Sequence, residues 1–152
     1  DQTPIAARLS AISDALKALR TLRSLTREEL LGDDLLRASA ERHLQVAIQA
    51  CLDIGSILLS DAPSPPSTYR AVFPALAEIG VLPDDFAERL AGMAGFRNVL
   101  VHLYLELDRE LLYTYLQEGL EDLERYMQFV AEYLARRDDA SATGETTEDP
   151  TP

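Results

Sequence analysis

Apolar residues recur at the period of an α-helix along most of the chain. The first stripe alternates spacings of four and three positions, which predicts a helix with Pro4 in its first turn. Its members are Ile5, Leu9, Ile12, Leu16 and Leu19. No segment shows the every-second-residue alternation of a half-buried strand. The pattern therefore predicts an all-α fold.

Capping residues predict where the next helices begin. Thr26 and Glu29 have the spacing of a capping box, so a new helical turn is expected there. Gly32 then offers a break, and Asp33 offers an N-cap for a long helix. The stripe expected to be buried by this helix is Leu44, Ala47, Ile48, Cys51, Gly55 and Leu58.

A proline-rich loop separates the long helix from a short one. Residues 61–67 contain three prolines within four positions, which forbids a helix through them. We expect Ser67 to cap a short helix that Pro74 kinks and Gly80 ends. The apolar stripe of that helix is Tyr69, Val72, Phe73, Leu76 and Ile79.

Two further helices complete the predicted fold. One opens at Pro83 and Asp84 and contains Gly92 and Gly95, each costing about 1 kcal/mol relative to alanine. These glycines indicate either a loose helix or the close approach of another backbone. The last helix repeats apolar residues over three heptads between residues 112 and 133. The prediction is an up-and-down bundle of four main helices and one short helix over residues 1–137.

The net charge of −12 limits the possible partners. Residues 138–152 contribute five acidic residues and no basic ones, and we expect them to form a disordered tail. The acidic excess argues against broad, non-specific nucleic-acid binding. An RNA site would therefore be a local basic cleft, and the charge could equally attract a basic partner.

Composition also argues against several classes of protein. A single cysteine, Cys51, allows no intrachain disulfide, and no apolar run approaches the ~20 residues of a membrane span. The first residues resemble no secretory leader, so a cytoplasmic location without membrane contact is expected. Two histidines without metal-ligand spacing, and no glycine-rich phosphate loop, predict neither a metal nor a cofactor.

Four polar side chains interrupt the apolar helix that follows Pro83. Asn98 and His102 lie one turn apart on one face, and Arg97 and Tyr104 align two turns apart beside them. A histidine can move a proton to or from a ribose hydroxyl, and a guanidinium can hold a phosphate. This is sufficient for metal-independent RNA cleavage, since RNA supplies its own 2′-hydroxyl nucleophile. A purely structural strip remains the alternative.

The motif Arg97-Asn98-x-x-x-His102-x-Tyr104 resembles the signature of HEPN-domain proteins, specifically toxins of the HepT/MntA type. Residues 41–48, 52–55 and 80–83 also fit the family's pattern, and the resemblance covers residues 5–136. Position 103 is leucine, where members often carry a polar residue. The resemblance implies a HEPN-like bundle that forms a symmetric homodimer. Two copies of Arg97 and His102 would then share one cleft and supply both an acid and a base.

The resemblance also implies roles for individual residues. Arg97, His102 and Asn98 would be catalytic in an endoribonuclease toxin. A separate MntA-like nucleotidyltransferase antitoxin would silence it by transferring AMP to Tyr104, whose new phosphate would occupy the place of the RNA backbone beside Arg97. The alternative is a non-catalytic HEPN accessory subunit that docks a nucleotidyltransferase.

Asp53 is a further candidate for a supporting role. It could orient His102 or Arg97, and the family pattern has an aspartate at this place. It shares a face of its helix with three other polar residues, Arg42, Gln45 and Gln49. That face could equally be a solvated or dimer-facing stripe.

Overall fold

Helices form all the regular structure within residues 3–102 and 109–144, the part of the chain that the computed structural model describes; the side chains of residues 98–102 lie outside that description. The helices are α1 (Thr3–Arg23), α2 (Arg27–Leu31), α3 (Asp34–Leu58), α4 (Val72–Glu78), α5 (Asp84–His102), α6 (Arg109–Glu118) and α7 (Leu120–Gly144). A 3-10 helix at Tyr69–Ala71 leads into α4. The all-α prediction is confirmed.

The four long helices α1, α3, α5 and α7 are the four main helices of the predicted bundle. The α1 helix packs most extensively on α3, while α5 packs on α3 and α4, and α7 contacts both α1 and α3. The described residues contain more short helices than the single one expected. None of their helices is both long and apolar enough to cross a membrane.

The predicted helix ends at Thr26, Asp33 and Gly80 are confirmed. The Thr26 hydroxyl accepts from the Glu29 amide at 3.2 Å, and the Glu29 carboxylate accepts from the Thr26 amide at 3.1 Å. The Asp33 carboxylate caps the first turn of α3. After α4, Gly80 adopts a φ of 82°, and a Schellman pair of backbone hydrogen bonds closes the helix.

The short helix differs from the prediction in its start and its course. Thr68, rather than Ser67, caps it, and a 3-10 turn precedes α4. Pro74 causes no break because it lies in the first turn of α4, where its missing amide proton would have no helical partner. Tyr69 and Ile79 are 37% and 38% exposed, so the buried stripe is narrower than predicted.

The prediction of one continuous last helix is wrong, since Gly119 divides this segment into α6 and α7. A Cβ atom at Gly119 would lie 2.7 Å from the Tyr115 ring and 2.8 Å from the Tyr115 carbonyl oxygen, so the tight bend requires glycine. At the other end, α7 continues to Gly144, past the predicted domain boundary at residue 137. Residues 138–144 are therefore helical, and the rest of the predicted tail, 145–152, lies outside the described residues.

The centre of the core joins α3, α4 and α7. The Tyr126 ring is fully buried and meets Phe73 edge-on, with 5.9 Å between ring centroids. The Tyr126 hydroxyl donates to the Cys51 carbonyl oxygen at 2.7 Å. A Cβ atom at Gly55 would overlap Val72, so this glycine permits the close approach of α4 to α3. This packing fixes α3, which carries most of the candidate site described next.

Candidate functional site

Arg97 lies near the end of α5 and is half-buried. The same helix turns Phe86, Leu90 and Met93 into the core, together with Phe96 beside the arginine. The Phe96 ring stacks on Tyr115 of α6, with centroids 4.5 Å apart and planes 6° from parallel. The backbone that carries Arg97 is therefore held between α3 and α6.

The Arg97 guanidinium is held by two neighbours. Its Nε donates a hydrogen bond to the Gln49 side-chain oxygen at 2.8 Å. Its central carbon lies 4.6 Å from the centroid of the Tyr69 ring, which is the geometry of a cation–π contact. The contacts come from α3 and the 3-10 helix, so three separate elements meet at this side chain.

Gln49 is in turn fixed by Asp53, one helical turn further along α3. The Gln49 amide nitrogen donates to the Asp53 carboxylate at 2.9 Å and also lies 3.5 Å from the Tyr69 hydroxyl. Only one orientation of the amide satisfies both Arg97 and Asp53, since one supplies a donor and the other an acceptor. Asp53 is thus linked to Arg97 through Gln49.

The polar stripe of α3 faces a groove rather than the core. Between α1 and α3 lies a groove of about 350 Å³. Its lining consists of Arg8, Ala11, Arg42, Gln45, Val46, Gln49, Ala50 and Asp53. Arg8 and Asp53 form an ion pair at 3.6 Å across it, and Arg8 Nε has no hydrogen-bond partner among the described residues.

The structure describes the other predicted site residues, Asn98, His102 and Tyr104, only in part or not at all. The α5 helix includes the backbone of Asn98 and His102, but their side chains lie outside the described residues. Tyr104 also lies outside them. The roles of Asn98, His102 and Tyr104 therefore stay predictions. The other histidine, His43, bonds locally, with Nδ1 2.7 Å from the Ser39 carbonyl oxygen.

The sequence does not predict Tyr69 and Arg8 as neighbours of the site. Tyr69 has the helical spacing of an apolar stripe, which predicts a core position. Arg8 follows the first turn of α1 between two apolar residues and belongs to no recognisable polar pattern. Only the packing of α1 and the 3-10 helix against α3 brings them near Gln49 and Asp53, and no local signal in the sequence indicates it.

One other potentially reactive group, Cys51, lies apart from the site. Cys51 is fully buried, and burial raises the pKa of its thiol far above the usual value, so it is no nucleophile at neutral pH. Among the described side chains, no cluster of histidine, cysteine and carboxylate groups could hold a metal ion. The chemistry available in the described part of the site is thus that of a guanidinium, amides and a carboxylate.

The comparisons with known proteins agree with the motif. The chain matches the family described as Ribonuclease HepT-like over residues 12–130. It is similar to the tRNA nuclease HepT of Aphanizomenon flos-aquae, being 28% identical over 131 residues that cover 86% of this chain and 89% of that protein. It is also similar to the mRNA nuclease HepT of Shewanella oneidensis, 30% identical over 99 residues that cover 64% of this chain and 74% of that protein.

A solved structure gives the same fold. The tri-AMPylated HEPN toxin of Shewanella oneidensis, in complex with MNT antitoxin, has a TM-score of 0.75 and 24% identity. The match covers 85% of this chain and 97% of that toxin. The two chains therefore share one helical fold.

Proposed function

Because the chain belongs to the HepT-like ribonuclease family, whose pattern it matches over residues 12–130, we propose that it is the RNA-cleaving toxin of a toxin–antitoxin pair. The observation that carries the proposal is this match, which contains the whole Arg97-to-Tyr104 motif. The anchoring of Arg97 by Gln49 and Tyr69 supports it, since a phosphate-binding arginine gains from being held in place.

The proposed reaction needs no metal. His102 takes the proton of a ribose 2′-hydroxyl, and the oxygen attacks the adjacent phosphorus to form a 2′,3′-cyclic phosphate. The bond to the 5′-oxygen breaks, and that oxygen receives a proton as it leaves. Arg97 stabilises the negative charge that develops on the phosphate, and Asn98 positions the imidazole or the ribose.

We infer a symmetric homodimer, because one strip has one histidine while the reaction uses both an acid and a base. Two motif helices packed together would supply two copies of His102 and Arg97. The glycines of α5 are consistent with this arrangement. A Cβ atom at Gly92 or Gly95 would meet nothing within 4 Å among the described residues, so their open face leaves room for a second chain.

The proposed regulator is a separate MntA-like nucleotidyltransferase antitoxin that transfers AMP to Tyr104. The similar toxin from Shewanella oneidensis is itself tri-AMPylated and bound to an MNT antitoxin. An added phosphate near Arg97 would compete with the RNA backbone for the same guanidinium. A cytoplasmic location fits both an RNA substrate and a chain with one buried thiol.

The first test is cleavage of labelled tRNA and mRNA in EDTA by unmodified protein, with intact mass verifying that Tyr104 carries no AMP. We expect cleavage by the wild type and a loss of at least about a hundredfold in His102→Ala, since general acid–base catalysis contributes on that scale. His43→Ala is the matched control and should cleave normally, because His43 bonds only within its own helix turn.

If the dimeric wild type cleaves neither tRNA nor mRNA, the proposal that this chain is a nuclease is rejected. The accessory-subunit interpretation would then replace it. The two RNA classes are chosen because one similar protein is a tRNA nuclease and the other an mRNA nuclease.

The second test concerns silencing. Incubation with the cognate antitoxin and ATP should add AMP to the wild type and abolish its cleavage, while Tyr104→Phe should gain no mass and keep cleaving. Tyr113→Phe, another tyrosine of the same chain, is the control and should be silenced like the wild type. A mass gain by Tyr104→Phe would place the modification on another residue.

A further inference from the structure

The groove between α1 and α3 shares one residue with the Arg97 site. Gln49 belongs to both places, since its side chain lines the groove and its oxygen accepts from Arg97 Nε at 2.8 Å. Arg8 and Arg42 stand on opposite walls of the same groove, one on α1 and the other on α3. The residue proposed to bind the reacting phosphate is thus joined through Gln49 to a groove that carries two further arginines.

The groove carries more cationic than anionic side chains in a chain of net charge −12. Several other arginines are paired closely with carboxylates, as in the pairs that Arg20 and Arg23 make with α7 at 2.8 and 2.7 Å. Arg42 is exposed, and it has no hydrogen bond or ion pair within the described part of the chain.

Among the described residues, the one carboxylate that lines the groove is already engaged. Asp53 accepts from Gln49 at 2.9 Å, and its pairing with Arg8 is longer, at 3.6 Å. Arg8 Nε is buried beside Asp53, and Arg8 Nη1 donates to the Pro4 carbonyl oxygen at 3.0 Å. The Arg8 side chain is nevertheless 38% exposed, so its guanidinium keeps N–H groups that can bind an anion, as does the exposed guanidinium of Arg42.

We propose that this groove is a second phosphate subsite, in which Arg8 and Arg42 bind the backbone of the RNA strand next to the bond that is cleaved. The inference rests on the proposed function and extends it from the reacting phosphate to its neighbour. Arg42 lies two helical turns from Gln49, about 10 Å along α3. One phosphate cannot bridge that span, so the groove takes a different phosphate from the one at Arg97.

The chemistry of the lining suits a single RNA strand. Guanidinium groups bind phosphate with paired hydrogen bonds, and side-chain amides such as those of Gln45 and Gln49 bind phosphate and sugar oxygens. An acidic peptide would use the same arginines. RNA is favoured because Gln49, which lines the groove, also holds Arg97, where the strand must already be present.

Binding is tested with a short, fully 2′-O-methylated RNA, which has no 2′-hydroxyl and cannot be cleaved. Fluorescence anisotropy should show about tenfold weaker binding for Arg8→Ala and for Arg42→Ala, the effect of losing a charged hydrogen bond. The slope of log affinity against log salt should become shallower by about 0.7 for each lost phosphate contact. Lys17→Ala is the matched control, since it removes one exposed cation from the opposite face of α1.

Asp53→Asn is a variant for which we expect tighter rather than weaker RNA binding. It removes the negative charge of the groove and keeps an oxygen that can accept from Gln49. RNA binding should tighten if the groove receives phosphates. Weaker or unchanged binding would contradict the subsite.

Cleavage gives an independent readout. For a cleavable RNA, Arg8→Ala and Arg42→Ala should raise KM with little change in kcat. A dinucleotide is too short to reach the groove, so both variants should cleave it with the same KM and kcat as the wild type. Unchanged binding in both variants, while the wild type binds RNA, would overturn the subsite and leave the proposed nuclease intact. If binding depends on both arginines but the wild type cleaves no RNA, the subsite stands and the proposed nuclease is rejected.

Two outcomes would remove the inference in other ways. Loss of the dimer in Arg8→Ala or Arg42→Ala, measured by mass photometry, would assign the groove to an interface between copies of this chain. Polyglutamate is the competitor that tests an acidic polypeptide. If it displaces the RNA and has a lower dissociation constant for the wild type than the RNA has, the groove would be assigned to an acidic polypeptide.

Discussion

At the scale of single residues, the best-defined feature is the restraint on Arg97. A free arginine side chain has several rotatable bonds, and ordering it costs about 2 kcal/mol of conformational entropy. The bond to Gln49 and the contact with Tyr69 already order the Arg97 side chain in the free protein, so substrate binding does not have to order it. Tyr69 is partly exposed, so its replacement can be tested without disturbing the core.

Tyr69→Ala should therefore lower kcat for RNA cleavage by about two- to fivefold, which corresponds to an exposed cation–π contact of about 0.5–1 kcal/mol. Tyr69→Phe keeps the ring beneath the guanidinium and should retain nearly the wild-type kcat. The thermal midpoint of unfolding should change little in either variant. Equal losses in both would show that the hydroxyl, rather than the ring, is the important group.

The motif helix could be predicted from the sequence, but the partners of Arg97 could be predicted only in part. Gln49 and Asp53 were recognisable as one polar face because they lie four positions apart on a helix. Tyr69 was not, because an aromatic residue at helical spacing predicts a core position equally well. Which face of one element meets which face of another depends on packing, and no local pattern encodes it.

At the scale of helices, the contact of α4 with α3 depends on the absence of a side chain at Gly55. The glycine lies opposite Val72, whose β-branched side chain has little rotational freedom. A larger residue must therefore push the two helices apart or strain the valine. Ser56 is the neighbouring residue on the same helix, but it is exposed.

Gly55→Val should lower the free energy of unfolding by about 3 kcal/mol, the upper range for overpacking a core. Ser56→Val introduces the same side chain one position away and should change stability by about 0.5 kcal/mol or less. Urea denaturation at one fixed protein concentration measures both, so that dimerisation contributes equally. A small effect at Gly55 would mean that α4 is free to shift.

The ends of helices were predictable where a side chain or glycine satisfies the backbone locally, as at Thr26, Asp33 and Gly80. The break at Gly119 was not predicted, since the apolar repeat continues through it without a change of period. Pro74 causes no break, contrary to the prediction, for a related reason. Its effect depends on its place within the helix, and the 3-10 turn before α4 moves that place to the first turn.

For the whole molecule, the distribution of charge gives two opposing effects on RNA. The chain as a whole repels a polyanion through its net charge of −12, whereas the groove beside Arg97 attracts phosphates locally. Repulsion acts over the Debye length, which falls from about 30 Å at 0.01 M salt to about 8 Å at 0.15 M. Local contacts are screened much less.

Raising salt over this range should therefore increase the association rate constant for the 2′-O-methylated RNA by a few-fold, while dissociation also becomes faster. Stopped-flow fluorescence separates the two rates. Proteins with a basic RNA-binding face behave differently, since salt slows their association. A steep fall in the association rate with salt would show that a positive field dominates the approach, contrary to this expectation.

The position of Arg97 in the chain has a consequence for its synthesis. The residues that restrain it, Gln49 and Tyr69, leave the ribosome a few seconds before it does at ordinary rates of translation. The α7 helix is made last, and its Tyr126 bonds to the Cys51 carbonyl in the helix that carries Gln49. A nascent chain that stops before α7 thus contains the complete motif without the helix that completes its core. We expect such fragments to be harmless, so interrupted translation releases no active nuclease.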